Sequence, residues 1–478
     1  MSYVKRLIFI ILIFVVKIAV SQPRNYWSVS FNSEASLLAG AVVGGNSDIT
    51  SIYYNPAGIS EIDEQKFALN ANLFNLSLTN YKNALGTGIH EDYLGFSVQP
   101  RFISYMFKLK KAQNINWQFA LFNRNNKRIS VYDQIERQVN LIHPQYSEKY
   151  TGNFDFVNDY DDSWGAIGMA YKLTDRLVVG ASLSANVKTL DYMRMINVTV
   201  HPDEELLPDT VEFYNANASN YDKIVMYDVR VLGKIGVRYK FDKLELGTNI
   251  TLPSFKIMGN SDVKKSITNS GIYYNDNPVE DKFLNQSAVY LKTQLKEPLS
   301  VAFGFVYKAG SIRYYFTTEY FHKIKTYKAI DGTKVIDDDY EPATDFLSYK
   351  LGAKSIMNFA FGCKFNALGK FETLIGFRTD FDPYYVDPDK FKGINEFINP
   401  SANLYHLTGG SKFNYKKLSI IAGIEYTVGV KKNLEEFVNF AEPEVRPASE
   451  FVLAGERNNN MKYVYNAVGL YFGFTLGF

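Results

Sequence analysis

The sequence predicts an all-β fold: a transmembrane antiparallel β-barrel of about fourteen strands, with an N-terminal segment plugging its lumen. Three observations carry that expectation. Apolar and polar residues alternate with period two along many runs, several of them nine to fifteen residues long. Short turns and long polar connections follow one another along the chain. The final run sets Leu470, Phe472, Phe474, Leu476 and Phe478 on one face and stops at that last aromatic. Soluble strands average ~5–6 residues, whereas a tilted strand needs ~9–11 to cross a bilayer.

Composition narrows the class. Hydrophobic residues make up 46% and charged residues 21% of 478, which excludes wholesale disorder. Lys+Arg at 52 against Asp+Glu at 50 leaves a formal charge of +2, without the basic stripe that binding nucleic acid would favour. The single cysteine, Cys363, excludes a disulfide framework and any CxxC site. The 5 histidines lack HxxxH or HExxH spacing, so no zincin site is expected, and neither a metal nor a cofactor. No GxSxG, Walker or GxGxxG motif stands in its required context, so no enzyme is expected. His322 and His406 read as ordinary strand or rim residues. After residue 21 no apolar run is long enough for a membrane helix. Tyr 35, Phe 36 and Gly 32 favour strands and turns. A mean hydropathy of −0.17 is compatible with a barrel, whose lipid and lumen faces cancel.

The elements follow in order. Lys5 and Arg6 precede the apolar run Leu7 to Val16, and Ala19 and Ser21 offer small residues to a signal peptidase. Residues 1–21 therefore read as a cleaved export signal. Residues 22–65 do not alternate and are rich in Gly, Ala and Ser. Residues 66–478 supply the barrel, with strands starting near Phe67, Gly95, Asn116, Trp164, Leu177, Val225, Leu244, Ala288, Ile312, Met357, Phe371, Asn403, Leu418 and Tyr463. From Leu177, one face carries Leu177, Val179, Ala181, Leu183 and Val187, and the other Gly180, Ser182, Ser184, Asn186 and Lys188. Small residues with sparse charges suit a crowded barrel interior better than the wet face of a sandwich. Pro298 interrupts the eighth run, where a kink or bulge is expected. Long links are expected near 132–162, 192–223, 257–285, 324–355, 381–402 and 431–461, all at one end. One of them holds Asp331, Asp337, Asp338, Asp339 and Glu341, which lack EF-hand spacing and read as a solvated acidic loop.

Arg230, Lys234, Arg238, Arg313 and Arg378 fall on the lumen side. They can meet a ligand carboxylate or pair with Asp228, Glu319, Glu372, Glu425 and Asp380. Pairing is the default, because an unpaired charge in a constricted lumen is costly. A lumen of about fourteen strands is too wide to fill with wall side chains, so a small-residue segment can close it. Pro56 pushes Asn55 towards an extended conformation, and the Asn side chain can cap nearby backbone groups. The alternative is a simple turn leading into the first strand.

The landmarks Gly44-Gly45-Asn46-Ser47-Asp48, then Ile49 to Tyr54, then Asn55-Pro56-Ala57-Gly58 resemble the FadL/TodX family of outer-membrane transporters for long-chain fatty acids and other hydrophobic compounds. Lys296-Glu297-Pro298-Leu299 before a Gly/aromatic strand also resembles that family. The resemblance implies a fourteen-stranded barrel closed by an N-terminal hatch. Asp48, Asn55, Pro56, Ala57 and Gly58 would be its gating residues, and the ligand a fatty-acid-like hydrophobic small molecule moving inward by passive diffusion. It implies a monomer in the outer membrane of a Gram-negative bacterium, among outer-membrane lipid and lipopolysaccharide. Phe478 resembles the signal read by the barrel assembly machinery. The alternative function is a non-transporting barrel that serves as scaffold or docking partner of a secretion or surface-attachment complex.

Overall fold

A computed structural model describes residues 25–27, 31, 33–45, 48–61, 66–109, 112–202, 215–275, 277–333, 345–368 and 371–477. The export signal (1–21), Asn46, Ser47, the acidic stretch Asp337 to Glu341 and Phe478 lie outside the described residues.

Alternating faces let each strand pair with both neighbours, and the pairing closes into a fourteen-stranded antiparallel barrel. The strands are β1 (Lys66–Lys82), β2 (Glu91–Leu109), β3 (Ala112–Val139), β4 (Glu148–Lys172), β5 (Leu177–Pro202), β6 (Ala216–Lys240), β7 (Leu244–Thr251, resuming as Phe255–Ser270), β8 (Lys282–Thr293, resuming as Ser300–Ala309), β9 (Ile312–Phe321, resuming as Ile324–Asp331), β10 (Tyr349–Ala353, resuming as Ile356–Leu368), β11 (Phe371–Asp380), β12 (Leu404–Tyr415), β13 (Leu418–Leu434) and β14 (Met461–Gly477). The ring shuts where β14 pairs with β1, from Lys66↔Gly477 to Lys82↔Lys462. β8 breaks around Pro298, which has no N–H for the ladder.

Each strand separates two environments. On β5, Lys188 and Asn186 are fully buried inside, while Leu183 and Val187 are exposed outside at 55% and 44%. On β9 the outward face runs from Ile312 to Tyr320. At ~3.3 Å per residue and a barrel tilt of ~40°, that belt is roughly 20 Å tall, close to the apolar band of an outer-membrane barrel.

Four long links expected from sequence are largely strand. The β3–β4 ladder continues to Val139↔Glu148, the β5–β6 ladder to Val200↔Ala216, and β7–β8 pairs up to Asn269↔Lys282. The 324–355 stretch likewise contributes the β9–β10 pairing from Ile324↔Ala353 to Ile330↔Tyr349. Above the belt the outward face turns polar, so the outward apolar signal fades while the inward one persists. Inward Tyr150, Phe154, Phe156, Tyr192, Ile196 and Val198 pack with Phe437, Val438, Phe440 and Leu453 of the connection before β14. The strand extensions and that connection build one apolar cap over the long-loop end.

Candidate functional site

Residues 33–45 and 48–61 run against the buried face of the barrel wall. α1 (Glu34–Leu37) starts at Ser33, whose backbone N–H donates to Ser36 Oγ (3.2 Å). Asp48 ties the next turn back to it, accepting the Ala35 N–H (2.8 Å) and the Thr50 N–H (3.2 Å). Burial pushes the Asp48 carboxyl above its ordinary value, against the Ala35 N–H, which favours the charged form. α2 (Ser51–Tyr54) ends at Asn55, which is extended (φ −156°, ψ 107°) because Pro56 follows. The Asn55 Nδ2–H donates to Val43 O (2.8 Å) and Val237 O (3.3 Å), and Asn55 Oδ1 accepts the Ala57 N–H (3.1 Å). Pro56, Ala57 and Gly58 open a buried 3₁₀ turn, Pro56–Glu61.

The wall is recessed where this segment touches it. A Cβ added to Gly236 of β6 would overlap Asn55 Oδ1, and one on Gly247 of β7 would overlap Val43 O. One on Gly180 of β5 would overlap Pro56 and Ala57 backbone, and one on Gly376 of β11 would stand 2.6 Å from Ala39 N. Charge fixes two further points. Glu34 pairs with Lys364 (2.8 Å) and Lys412 (2.6 Å), and Glu61 pairs with Lys240 and with Arg238 (3.6 Å). Burial pushes the Glu34 carboxyl up, but Lys412 and Lys364 more than offset it and hold it at about 2.

The five lumen cations singled out from sequence are spread around the ring. Arg230 is buried against Asp228 (3.1 Å) and donates to Ser254 Oγ (2.7 Å) and Ser254 O (3.0 Å). Arg378 pairs with Glu425 (2.6 Å) beside His406. Arg238 pairs with Glu245 and Glu61, neither of which the sequence suggested as its partner. Lys234 donates to Tyr53 O and stands 4.8 Å over the Tyr53 ring. Arg313 is exposed near the short-turn end. His322 is on the outer rim, within 3.3 Å of the Tyr320 hydroxyl.

Between the N-terminal segment and the wall lies a cavity of about 50 Å³ lined by Trp27, Tyr53, Tyr54, Trp164 and Phe321, with Arg124, Lys234, Glu297 and Glu319 among its polar residues. Glu297, carried inward by the β8 break, takes Arg124 (2.9 Å) and Lys188. The Trp27 indole N–H donates to Glu319 (2.7 Å) and the Trp164 indole N–H to Asp162 (2.7 Å). The aromatic faces are thus held in place by satisfied polar edges.

A second opening pierces the wall. β2 pairs with β3 only from Leu109↔Ala112 to Phe102↔Phe122. Above that point β2 pairs with β1 alone and β3 with β4 alone among the described residues. The β3–β4 register also slips between Asn123 and Asn125, where Arg124 is buried inside. A cleft of about 450 Å³ results, with inward Phe102, Phe122 and Trp164 and outward Ile103, Leu121 and Val187 on its walls. Arg124 was not picked out from sequence, Trp164 was read only as a strand start, and Glu297 only as part of the family-like stretch Lys296-Glu297-Pro298-Leu299. The available signals were Asn123-Arg124-Asn125-Asn126, polar on both faces inside a strand, and Glu297 beside the disruptive Pro298.

Several solved structures share this architecture. A Pseudomonas aeruginosa FadL homologue is similar with a TM-score of 0.57 and 12% identity, over 97% of this chain and 100% of that one. The P. putida toluene transporter TodX is similar at TM-score 0.56 and 14% identity, over 93% and 97%. The Ralstonia pickettii toluene transporter TbuX is similar at 0.50 and 11%, over 90% and 93%. No family model and no curated protein matches the sequence. At these identities the likeness is one of fold.

Proposed function

Starting from a FadL/TodX-like barrel fold, we propose that the protein is an outer-membrane channel that passes small hydrophobic molecules inward by passive diffusion. The observation that carries this reading is Trp164, which lines both the lumen cavity and the wall cleft. A molecule leaving the cavity meets Trp164, Phe122 and Phe102, then Leu121 and Ile103 on the lipid side, without crossing bulk water. Such a path gains ~0.8 kcal/mol for each CH₂ it keeps from water.

The cations near the cavity are engaged: Arg124 and Lys188 with Glu297, and Lys234 with Tyr53. A fatty-acid carboxylate would have to displace Glu297 or draw Lys234 away from Tyr53 O, so the site favours uncharged hydrocarbons. TodX and TbuX, being toluene transporters, support that class. Residues 22–65 act as the hatch, with Asp48 and Asn55 to Gly58 holding it shut, and 66–478 form the barrel. The chain is exported by a cleaved signal over 1–21 and assembled through Phe478, with long loops outside, short turns in the periplasm, and the monomer as the working unit.

Gly165 tests the route. It lines the cleft, and a Cβ there meets only Leu121 Cδ2 at 3.4 Å. Gly165→Trp fills the cleft and should cut uptake of radiolabelled toluene severalfold, with heat-modifiable gel migration unchanged. Full uptake by a normally assembled variant would overturn the route. Wild-type uptake no higher than that of a null strain would favour the scaffold.

A further inference from the structure

Just above the apolar belt, β9 and β10 both break at the same level. Phe321↔Ile356 is the last pair below the break and Ile324↔Ala353 the first above it. Ile324 and Ala353 are buried, so the flanking Lys323, Lys325 and Lys354 face outward, and all three are exposed. Lys323 and Lys354 lie on adjacent strands, whose backbones run ~5 Å apart, and Lys325 follows Lys323 by ~7 Å along its strand.

The ledge is braced by hydrogen bonds and carries several donors. Ser355 Oγ accepts the Lys323 N–H (2.9 Å) and the Tyr320 hydroxyl (3.1 Å), and the same hydroxyl lies 3.3 Å from exposed His322. The Lys354 N–H donates to Pro383 O (2.9 Å). None of the three lysine side chains has an ion-pair partner among the described residues. The nearby Asp387, whose N–H donates to Thr326, directs its carboxylate to the Asp389 N–H (3.0 Å). Directly beneath stand the outward apolar groups Tyr320, Met357 and Phe361, exposed at 38%, 45% and 52%.

We propose that this ledge binds the phosphorylated glucosamine headgroup of lipopolysaccharide in the outer leaflet, and that the acyl chains lie down the belt below it. The inference rests on the outer-membrane reading of the barrel. Three ammonium groups without counter-ions among the described residues, placed at headgroup height, match a phosphate-bearing lipid. Hydroxyl and imidazole groups between them suit its sugar. The apolar surface continuous with the ledge distinguishes a glycolipid from a free anion, which has no use for it. Each lysine near an anionic lipid surface contributes about fivefold in binding.

The test uses the full chain in detergent, titrated with bisphosphorylated lipid A, dephosphorylated lipid A, phosphatidylglycerol or inorganic phosphate. Lys323→Ala/Lys325→Ala/Lys354→Ala should weaken binding of bisphosphorylated lipid A by on the order of 100-fold or more. Lys323→Arg/Lys325→Arg/Lys354→Arg should retain it. Equal binding by the alanine variant, equal binding of dephosphorylated lipid A or phosphatidylglycerol, or displacement by millimolar phosphate would each overturn the proposal. Heat-modifiable migration, measured on the same samples, reports separately on the barrel: its loss in wild type would overturn the membrane reading instead.

Discussion

Gly236→Ala isolates the docking of the N-terminal segment from the barrel that surrounds it. Gly236 is a strand residue, and alanine is at least as good there, so β6 keeps its ladder to β5 and β7. Inside, the new methyl takes the place of Asn55 Oδ1. Asn55 must move, and with it go its bonds to Val43 O (2.8 Å) and Val237 O (3.3 Å) and the Ala57 N–H bond (3.1 Å). At ~1 kcal/mol for each bond, and more where a buried partner is left bare, docking loses roughly 3–5 kcal/mol. That corresponds to a 10²–10³-fold or larger rise in the undocked population, using ~1.4 kcal/mol per tenfold. Gly233→Ala is the control, because its Cβ meets nothing closer than 3.5 Å. Ion conductance in planar bilayers is the assay. Gly236→Ala should open long-lived conducting events that wild type and Gly233→Ala lack. A variant as silent as wild type would refute the reasoning that Asn55 holds the segment in place.

Other outcomes follow from the same contacts. The Glu34 carboxyl, held at about 2 against an ordinary 4.5, gives docking stability that is fully present above pH 4.5 and lost as pH falls towards 2. The shift corresponds to about 3 kcal/mol. Conductance of wild type should therefore stay low from pH 5 to 8 and rise in acid, whereas Glu34→Gln should leak at every pH; a pH-independent wild type at pH 3 would contradict this. Cys363 shares its strand face with outward Met357 and Phe361, so a water-soluble maleimide should label it poorly in intact membranes and a lipid-soluble reagent well. Fast labelling from water would contradict that register. Pro56→Gly frees Asn55 from its extended conformation and should raise leak by less than Gly236→Ala does, measured as sensitivity to large hydrophilic antibiotics.

Much of the barrel was legible because lipid imposes a simple rule. Leu177, Leu244, Ile312, Phe371 and Leu418 start strands where alternation begins, since each strand must turn one face to hydrocarbon at once. The strand ends above the belt were less legible. Asp133, Glu136 and Arg137 look like loop residues until Tyr150 and Phe154 on the partner strand give them a core to lean against. The cavity and cleft were hardly legible at all. The cleft is a place where β2 and β3 stop pairing, and nothing local in Arg101 or Phe122 records an absent neighbour. Partners such as Glu245 for Arg238, or Glu297 for Lys188, depend on which strand is adjacent and how far β8 bends inward. The recess for the N-terminal segment is written in Gly180, Gly236, Gly247 and Gly376, one to a strand and far apart in sequence. Only the folded ring brings them together.

The proposed route runs from the lumen cavity past Trp164 and out through the wall cleft. A crystal structure of the protein soaked with bromotoluene, phased to locate bromine by anomalous scattering, tests it most directly. Bromine sites are expected beside Trp164 on both sides of the wall, one among Tyr53, Tyr54 and Phe321 and one between Phe122 and Leu121. Bromine confined to the outer belt, with none beside Trp164, would contradict it.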